Sequence, residues 1–313
     1  MTNWVVGVDL GATKIAAGLV SPKNEITDKV YREAKVAEGP AAVIERIAGC
    51  VEQLKAGLPA GQRLAGIGVC CPGPLDHQRG MVLDPPNMTG WVNVPFQEML
   101  EERFGLPAPI EHDAKAAALG EFHFGAGRDV NDMIYVVVGT GVGAAIIIDG
   151  QLYRGANNLA GEVGHITVDM NGPACSCGSN GCVEVYTAGP DLVDRYRDAM
   201  AGSPIKLRPD AGGKDIADLA AQGDARAIQV FEQAGQALGV GIATMAHLFD
   251  ISTYIIGGSV VQAGDLLLNP TRKSVRYRAY ESIGPRVKVI AGPLGDDANI
   301  LGCAWVARER GKR

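Results

Sequence analysis

One pattern occurs twice in this sequence: a buried strand, a glycine-containing turn and a second apolar strand. The first copy spans residues 4–20, with its turn at residues 9–14, and the second spans residues 134–148, with its turn at residues 139–143. Each copy predicts a β-hairpin, because short apolar runs joined by a polar glycine turn are typical of paired strands. Two hairpins can resemble each other by chance, but a duplicated lobe would also give this recurrence.

The segments around the hairpins alternate between helical and extended patterns. Helices are predicted over residues 41–58, 96–104, 114–124, 225–248 and 298–310, and strands over residues 64–69, 108–111 and 252–256. Such alternation is typical of α/β folds with a central sheet. A chain of 313 residues also exceeds the size at which one core usually keeps growing. We therefore expect two α/β lobes with a cleft between them: residues 1–112, joined by the helix at 298–313, and residues 113–297.

The composition is that of a globular protein with a small-molecule partner. Hydrophobic residues make up 47% of the chain, which is ample for a core, and the net charge of -6 argues against a nucleic-acid partner. No apolar run approaches eighteen residues, and the first residues lack a signal-peptide pattern, so we expect a cytoplasmic protein with no membrane partner. Seven cysteines, an odd number, do not indicate a disulfide framework in such a compartment.

Three of the cysteines lie in one short, glycine-rich loop. Cys175, Cys177 and Cys182 follow His165 in the sequence. Three thiolates and one imidazole can form a closed tetrahedral zinc site, whereas inert core cysteines rarely cluster in a polar loop. Because nothing indicates an open coordination position, we predict a structural zinc ion. The other four cysteines have no such neighbours and are predicted to be core residues: Cys50, Cys70, Cys71 and Cys303.

The glycine turns are candidates for phosphate binding. None is a Walker loop, and the turn at residues 139–143 is not a dinucleotide fingerprint, because a strand follows it. Glycine turns let backbone N–H groups approach an anion closely. In the first turn Asp9 could bind Mg²⁺, while Thr13 and Lys14 offer a hydroxyl and a positive charge to phosphates. With the glycine pair 257–258 after a third strand, we favour a nucleotide site over ordinary glycine hairpins.

Asp113 lies where a predicted strand ends and a predicted helix begins. An aspartate there can simply cap the helix. A carboxylate at a strand end that faces a cleft can also accept a hydroxyl proton during phosphoryl transfer. Lys115, two positions further on, is expected on another face of the helix and at its surface.

Together these motifs resemble those of the ROK sugar kinases, and the similarity runs almost end to end. This resemblance implies a two-lobed actin-like ATPase (ribonuclease H-like) fold with an interlobe cleft. The similar segments are residues 7–14 (first phosphate motif), 139–143 (second phosphate motif), 257–259 (adenosine motif), 70–76 and 86–91 (sugar-side loops), and 160–165 with the cysteine cluster and Glu184.

The resemblance also implies an activity: Mg-ATP-dependent phosphorylation of a hexose 6-hydroxyl, with Asp113 as general base. The implied sugar-binding residues are Gly73, Asn87, His112, Glu162, His165 and Glu184. The implied ATP-binding residues are Asp9, which would also bind magnesium, Gly11, Thr13, Lys14, Gly139, Thr140, Gly141, Gly143, Gly257 and Gly258. His165 would contact both the zinc ion and the sugar. Family members are commonly dimers or tetramers, so a homodimer or homotetramer is expected.

One position departs from the family pattern and leaves the sugar open. Where the family has Asn-Asp-Ala-Asn, this chain has His-Asp-Ala-Lys at residues 112–115. Glucose is favoured by the loops at residues 72–74 and 86–87, and N-acetylmannosamine is the close alternative. A sugar-sensing repressor of the same family is a further alternative. Such repressors carry a helix-turn-helix domain ahead of the first phosphate motif, which here starts at Gly7, so we expect an enzyme.

Overall fold

A computed structural model describes residues 3–200 and 207–310 of the protein. The twelve strands of these residues are β1 (Trp4–Leu10), β2 (Lys14–Val20), β3 (Ile26–Glu33), β4 (Leu64–Cys71), β5 (Leu75–Asp76), β6 (Met81–Val82), β7 (Ile110–His112), β8 (Met133–Val138), β9 (Val142–Ile148), β10 (Gln151–Tyr153), β11 (Thr253–Gly257) and β12 (Lys288–Ala291). The nine α-helices of the same residues are α1 (Pro40–Lys55), α2 (Phe96–Phe104), α3 (Asp113–Phe124), α4 (Glu184–Thr187), α5 (Gly189–Ala199), α6 (Gly213–Ala221), α7 (Ala225–Phe249), α8 (Asp265–Arg278) and α9 (Asp297–Arg310).

The chain divides into two compact units. Among the described residues the first unit comprises residues 3–128, 154–159 and 296–310, and the second unit comprises residues 129–153, 160–200 and 207–295. Each unit contains one five-stranded sheet. The mixed α/β class predicted from the alternating patterns is confirmed.

The sheet of the first unit has the strand order β3-β2-β1-β4-β7. The strands β1, β2 and β3 pair antiparallel, whereas β4 and β7 run parallel to β1. The hairpin predicted at residues 4–20 is thus confirmed. Helix α1 begins at Pro40, whose fixed φ suits a first helical position, and buries Val43, Ile47 and Leu54 in the core of this unit.

Helix α9 lies unusually close to this sheet because two strand residues are glycines. A Cβ atom added at Gly7 would lie 2.0 Å from the Ile300 carbonyl oxygen, and one added at Gly68 would lie 1.9 Å from that of Cys303. Any side chain at these two strand positions would therefore push the helix away from the sheet.

Helices α3 and α9 also approach each other closely at glycines. Because of this contact, the first unit extends beyond the boundary predicted at residue 112. A Cβ atom added at Gly120 would lie 2.1 Å from the Ala298 carbonyl oxygen, and one added at Gly302 would lie 1.8 Å from that of Ala116. Because α3 packs so tightly on α9, it belongs to the first unit. The boundary predicted at residue 112 thus falls inside the first unit. The helix at residues 298–313 is predicted to join the first unit, and its residues 311–313 lie outside the described residues.

The sheet of the second unit repeats the order and sense of the first. Its order is β10-β9-β8-β11-β12, with β8, β9 and β10 antiparallel and β11 and β12 parallel to β8. The recurrence predicted from the two hairpins thus extends to whole sheets. The long helix α7 packs on α8 through Gly239, where an added Cβ atom would lie 2.6 Å from the Thr271 carbonyl oxygen.

The four cysteines assigned to the core are buried, as predicted: Cys50, Cys70, Cys71 and Cys303. In the part of the chain that the structure describes, no helix combines the length and the apolar character that a membrane crossing requires.

His123, on the last turn of α3, is predicted to make the first unit acid-sensitive. Its ring stacks on that of Trp305 in α9 with 3.6 Å between the centroids, and burial lowers the pKa of His123 to about 4. Between that value and the ordinary one near 6.5, the folded state binds fewer protons than the unfolded state, so stability falls as the pH falls. His123→Phe keeps the stacking. Urea unfolding at pH 7.5 and pH 5 should show a smaller loss of stability for the variant than for the wild type; equal losses would contradict the assignment.

Candidate functional site

The residues predicted to bind phosphate in the first unit line one cavity. It has a volume of about 190 Å³, and its lining residues are Asp9, Gly11, Thr13, Lys14, Ala16, Tyr31, Asp296 and Ile300. The turn of the first hairpin forms one side of this cavity. The turn is closed by the Gly11 amide, which donates to the Lys14 carbonyl oxygen at 2.9 Å. The Lys14 ammonium lies over the Tyr31 ring, 4.3 Å from its centroid. A carboxylate, a hydroxyl and an ammonium group therefore share one small cavity.

Asp9 lies at the end of β1 in a setting that disfavours its negative charge. Burial raises the pKa of Asp9, and the nearby carboxylates of Asp113 and Asp296 add to the increase. Hydrogen bonds from Asn299 and from the Cys70 thiol, at 3.3 Å, act in the opposite direction. A cation next to Asp9 would favour the carboxylate form, since it compensates for the lost hydration.

The two loops predicted to lie at the sugar, both in the first unit, are held by backbone hydrogen bonds. Leu83 N donates to the Pro74 carbonyl oxygen at 3.0 Å, which ties the loop containing Gly73 to the strand β6. Asn87 is exposed, beside the buried Met88, whose amide closes a turn with the Pro85 carbonyl oxygen.

His112 follows Glu111 on β7 and contacts Gly73. A Cβ atom added at Gly73 would lie 2.5 Å from His112 Cδ2, so only glycine leaves room for this ring. The contact arises because β7 pairs with β4, with His112 opposite Cys71. The structure thus brings together two of the predicted sugar residues.

Asp113 is the first residue of α3, next to His112. His112 Nδ1 lies 3.0 Å from Asp113 Oδ1 and 3.2 Å from the Ala114 amide, which also donates to Asp113 Oδ1 at 2.6 Å. Burial would lower the pKa of His112, but Asp113 outweighs burial and the net change is an increase. Neutral His112 can accept from the Ala114 amide, and protonated His112 can donate to Asp113. The Asp113 carboxylate is partly exposed and so is available to a bound molecule.

Lys115 is not at the helix surface, contrary to the expectation from its spacing. It is buried, and its ammonium donates to the Asn158 carbonyl oxygen at 2.6 Å. The helix face that carries Lys115 is covered by residues 154–159, which the sequence assigned to the other lobe.

Glu111 and Arg154 were missed by the sequence analysis. Arg154 donates through both terminal nitrogens to the buried Glu111 carboxylate. Burial would raise the pKa of Glu111, but this ion pair outweighs it and the pKa falls. The one available signal was a charged residue inside an apolar strand, since a buried carboxylate needs a partner. Its partner lies 43 residues away and could not be identified from the sequence.

In the second unit Glu184 contacts the glycine turn between β8 and β9. Its Oε2 accepts from Val142 N at 2.9 Å, and a Cβ atom added at Gly141 would lie 2.8 Å from the same oxygen. The Gly139 carbonyl oxygen accepts from Gly189 N at 2.8 Å, at the start of α5. A residue predicted to bind sugar therefore lies next to a turn predicted to bind phosphate.

The glycine pair after β11 lies against the same hairpin. Gly258 has a φ of 88°, and a Cβ atom there would lie 2.3 Å from the Val138 carbonyl oxygen. A Cβ atom added at Gly257 would overlap the Tyr135 hydroxyl at 1.8 Å. Since β11 runs parallel to β8, the predicted adenosine turn and the second phosphate turn follow adjacent strands.

Glu162 and His165 lie on a short segment that comes after β10 in the chain and contacts β9. Gly161 has a φ of 113°, and Ala144 N donates to its carbonyl oxygen at 2.7 Å. A Cβ atom added at Gly164 would lie 2.2 Å from the Val142 carbonyl oxygen. The two glycines let the segment lie directly on β9, which holds the exposed Glu162 carboxylate and the His165 ring at the same strand end as Glu184.

His165, Cys175, Cys177 and Cys182 form a cluster whose ligand atoms all lie within 4.8 Å of one another. Cys177 Sγ lies 3.7 Å from Cys182 Sγ, and Cys175 Sγ lies 3.6 Å from His165 Nδ1. Around a tetrahedral zinc ion, two sulfur ligands lie about 3.8 Å apart and a sulfur and a nitrogen about 3.6 Å apart. Burial and the neighbouring thiols raise the pKa of Cys182 to about 12. A bound cation would reverse that effect, so both the donor set and the distances fit zinc.

Comparisons with known proteins show the family of this chain. A family model described as the ROK family matches residues 5–310. The chain is 35% identical to a glucokinase from Thermotoga maritima, with 98% of each chain covered, and 38% identical to one from Streptomyces coelicolor, with 97% of each covered. It is also similar to the crystal structure of a ROK family glucokinase from Streptomyces griseus in complex with glucose and AMPPNP. That match has a TM-score of 0.83 and 36% identity, and it covers 98% of this chain and 100% of the other.

Proposed function

The chain belongs to the ROK family, and on this premise we propose that it is an ATP-dependent sugar kinase that phosphorylates the 6-hydroxyl of glucose. The observation that carries the proposal is the identity of 35–38% to glucokinases over nearly the whole of each chain. The fold is the actin-like ATPase fold of ROK sugar kinases, as the sequence predicted.

We assign the nucleotide to the glycine turns identified in the sequence. In the first unit Asp9, Thr13 and Lys14 share one cavity, which suits a phosphate with its magnesium ion. Magnesium would supply charge neutralisation on the transferred phosphoryl group, and Asp9 is the residue proposed to hold it. In the second unit the residues assigned to the nucleotide are Gly139, Thr140, Gly141, Gly143, Gly257 and Gly258.

We assign the general base to Asp113. Its carboxylate is partly exposed and is held by the Ala114 amide at the start of α3. An ionised carboxylate in this position can accept the proton that leaves the sugar hydroxyl as the oxygen attacks the phosphoryl group. The neighbouring His112, when neutral, leaves that carboxylate free to do so.

The residues assigned to the sugar hydroxyls are Gly73, through its backbone, and Asn87, His112, Glu162, His165 and Glu184, through their side chains. Carboxylates, an amide and imidazoles can each hydrogen-bond a particular hydroxyl, and a site of this kind rejects sugars that present their hydroxyls differently. His112 is larger than the asparagine of the family pattern and packs on Gly73, so it is the residue we expect to influence which hexose is accepted.

We include a structural zinc ion in the proposal, held by His165, Cys175, Cys177 and Cys182. The distances among the four ligand atoms support it. Since His165 Nδ1 faces the thiols, Nε2 remains available to donate to a sugar hydroxyl. Self-association as a homodimer or homotetramer, which the family implies, completes the proposal, and sedimentation velocity can measure it.

The substrate assignment predicts the outcome of a sugar panel. ATP-dependent turnover is measured with glucose, mannose, fructose, N-acetylglucosamine and N-acetylmannosamine. We expect kcat/KM for glucose to be at least about tenfold above that of every other sugar, because a site with matched polar groups discriminates strongly. If N-acetylmannosamine were turned over faster than glucose, the protein would be an N-acetylmannosamine kinase and not a glucokinase. Sugar binding without turnover would indicate a sensor.

A further inference from the structure

Asn158 makes three hydrogen bonds, each to a different part of the first unit. Its side-chain amide donates to the Leu75 carbonyl oxygen at 3.1 Å, and its side-chain oxygen accepts from Arg154 at 3.1 Å. Its backbone carbonyl oxygen accepts from the Lys115 ammonium at 2.6 Å. One residue thus joins the sugar-side loop, the segment 154–159 and the first turn of α3.

The partners of Asn158 are themselves fixed. Lys115 is buried, and Arg154 pairs with the buried Glu111 carboxylate, whose Oε1 also accepts from the His112 amide at 2.9 Å. Charge-assisted bonds of this kind are stronger than neutral ones, and here the Glu111 carboxylate is buried. The anchor for Asn158 is therefore the junction of β7 and α3, where His112 and Asp113 lie.

The loop on the other side of Asn158 lies between two strands: β4 ends at Cys71, which pairs with His112, and β5 begins at the buried Leu75, which pairs with Val82 of β6. Leu75 is two residues beyond Gly73, and the adjacent Pro74 carbonyl oxygen accepts from Leu83 N at 3.0 Å. The bond from Asn158 therefore adds a side-chain contact that links the Leu75 end of this loop to the β7–α3 junction, whereas the pairing of Cys71 with His112 links its other end. Because Gly73 has no side chain, the distance between its backbone and His112 depends on where the loop is held.

The identity of residue 158 suits this task. Asn158 has a φ of 60°, in the left-handed region that asparagine adopts more readily than most residues. An asparagine side chain also offers a donor and an acceptor together, which aspartate and glycine do not. We propose that Asn158 is a positioning residue, which sets the sugar affinity by holding the loop of Gly73 against His112. This inference rests on the proposed sugar-binding function.

The variant that isolates this role is Asn158→Gly. Glycine keeps the backbone conformation and the bond from Lys115, but it removes both side-chain bonds. Asn24→Gly is the matched control. Asn24 also has a positive φ, of 66°, and its side chain also accepts a hydrogen bond from an arginine, Arg308, in the same unit but in a turn between β2 and β3.

The test measures glucose affinity by calorimetry, kinetic constants with ATP and glucose, and the unfolding temperature of all three proteins. In Asn158→Gly we expect the Kd and KM for glucose to rise about five- to twentyfold, from the loss of the loop contact. The KM for ATP should stay within about twofold of the wild type, and kcat within about threefold. Asn24→Gly should lose a similar amount of stability and keep its glucose Kd.

Two results would overturn the inference: an unchanged glucose Kd in Asn158→Gly, or an equal increase in both variants, which would mean general destabilisation. Failure of the proposed function has a different signature. In that case the wild type binds glucose without phosphorylating it, and the effect of Asn158→Gly on the Kd still decides the positioning role.

Discussion

Asp113→Asn should reduce kcat with glucose by about 10²- to 10⁴-fold, the contribution typical of a positioned proton acceptor. The asparagine oxygen can still accept from the Ala114 amide at the start of α3, as the carboxylate does at 2.6 Å. The amide has no basic oxygen to take a proton from the sugar hydroxyl. The KM for glucose should therefore change by less than about fivefold, and the loss should fall on turnover.

A matched control for this substitution is Asp224→Asn. Asp224 caps α7 by accepting from the amides of Arg226 and Ala227, both at 2.9 Å, and asparagine caps helices equally well. This variant should retain nearly full turnover. If Asp113→Asn retained wild-type kcat, another group would have to act as base; if it lost glucose affinity alone, the role of Asp113 would be binding.

Cys182→Ser should remove the proposed zinc ion and, with it, much of the glucose affinity. Cys182 is completely buried, and its Sγ lies 3.7 Å from that of Cys177. A serine hydroxyl is a poor replacement for a thiolate ligand, and the three remaining ligands bind zinc more weakly. Because His165 and the loop after it lose their anchor, we expect zinc content to fall from about one ion per chain to near zero and kcat/KM for glucose to fall about 10- to 100-fold.

Cys50→Ala is the control for this experiment, since Cys50 is equally buried but lies in the core of the first unit on α1. It should lose some stability and keep both zinc and activity. Zinc content is measured by mass spectrometry of the intact protein and of its acid digest. A wild-type protein that contains no zinc as purified, or a Cys182→Ser variant with wild-type kcat/KM, would contradict the assignment.

The elements with strong local periodicity were predictable almost residue by residue. Helix α7 was expected over residues 225–248 and spans Ala225–Phe249, and α2 was expected over residues 96–104 and spans Phe96–Phe104. Both hairpins were predicted because strand, turn and strand are consecutive in sequence. The cluster of three cysteines and one histidine was also predictable, since three of its four residues lie within eight positions of one another.

Features that depend on distant parts of the chain were not predictable. Lys115 was expected at the surface because spacing along α3 does not reveal that residues 154–159 cover that helix face. The pair of Glu111 and Arg154 was missed for the same reason. The boundary at residue 112 was placed too early, since the close approach of α3 to α9 depends on Gly120 and Gly302, and a glycine inside a helix pattern does not identify its partner.

The same distinction applies to the candidate site. The motifs identified the glycine turns, Asp113, Glu162 and Glu184, because each lies in a short recognisable segment. They did not predict that Glu184 bonds the amide of Val142 beside Gly141, nor that the His112 ring packs on Gly73. Those contacts join residues about 40 positions apart, and they set where each functional group is held.

Transfer of a phosphoryl group from ATP to the 6-hydroxyl of glucose by this chain can be measured directly. Incubation of the purified protein with magnesium, ATP and glucose, followed by phosphorus NMR of the mixture, identifies both the donor product and the position of the new phosphate. We expect glucose 6-phosphate and ADP in equal amounts, with almost none formed by Asp113→Asn in the same time. Unchanged ATP, or a phosphate on any other position of the sugar, would contradict it.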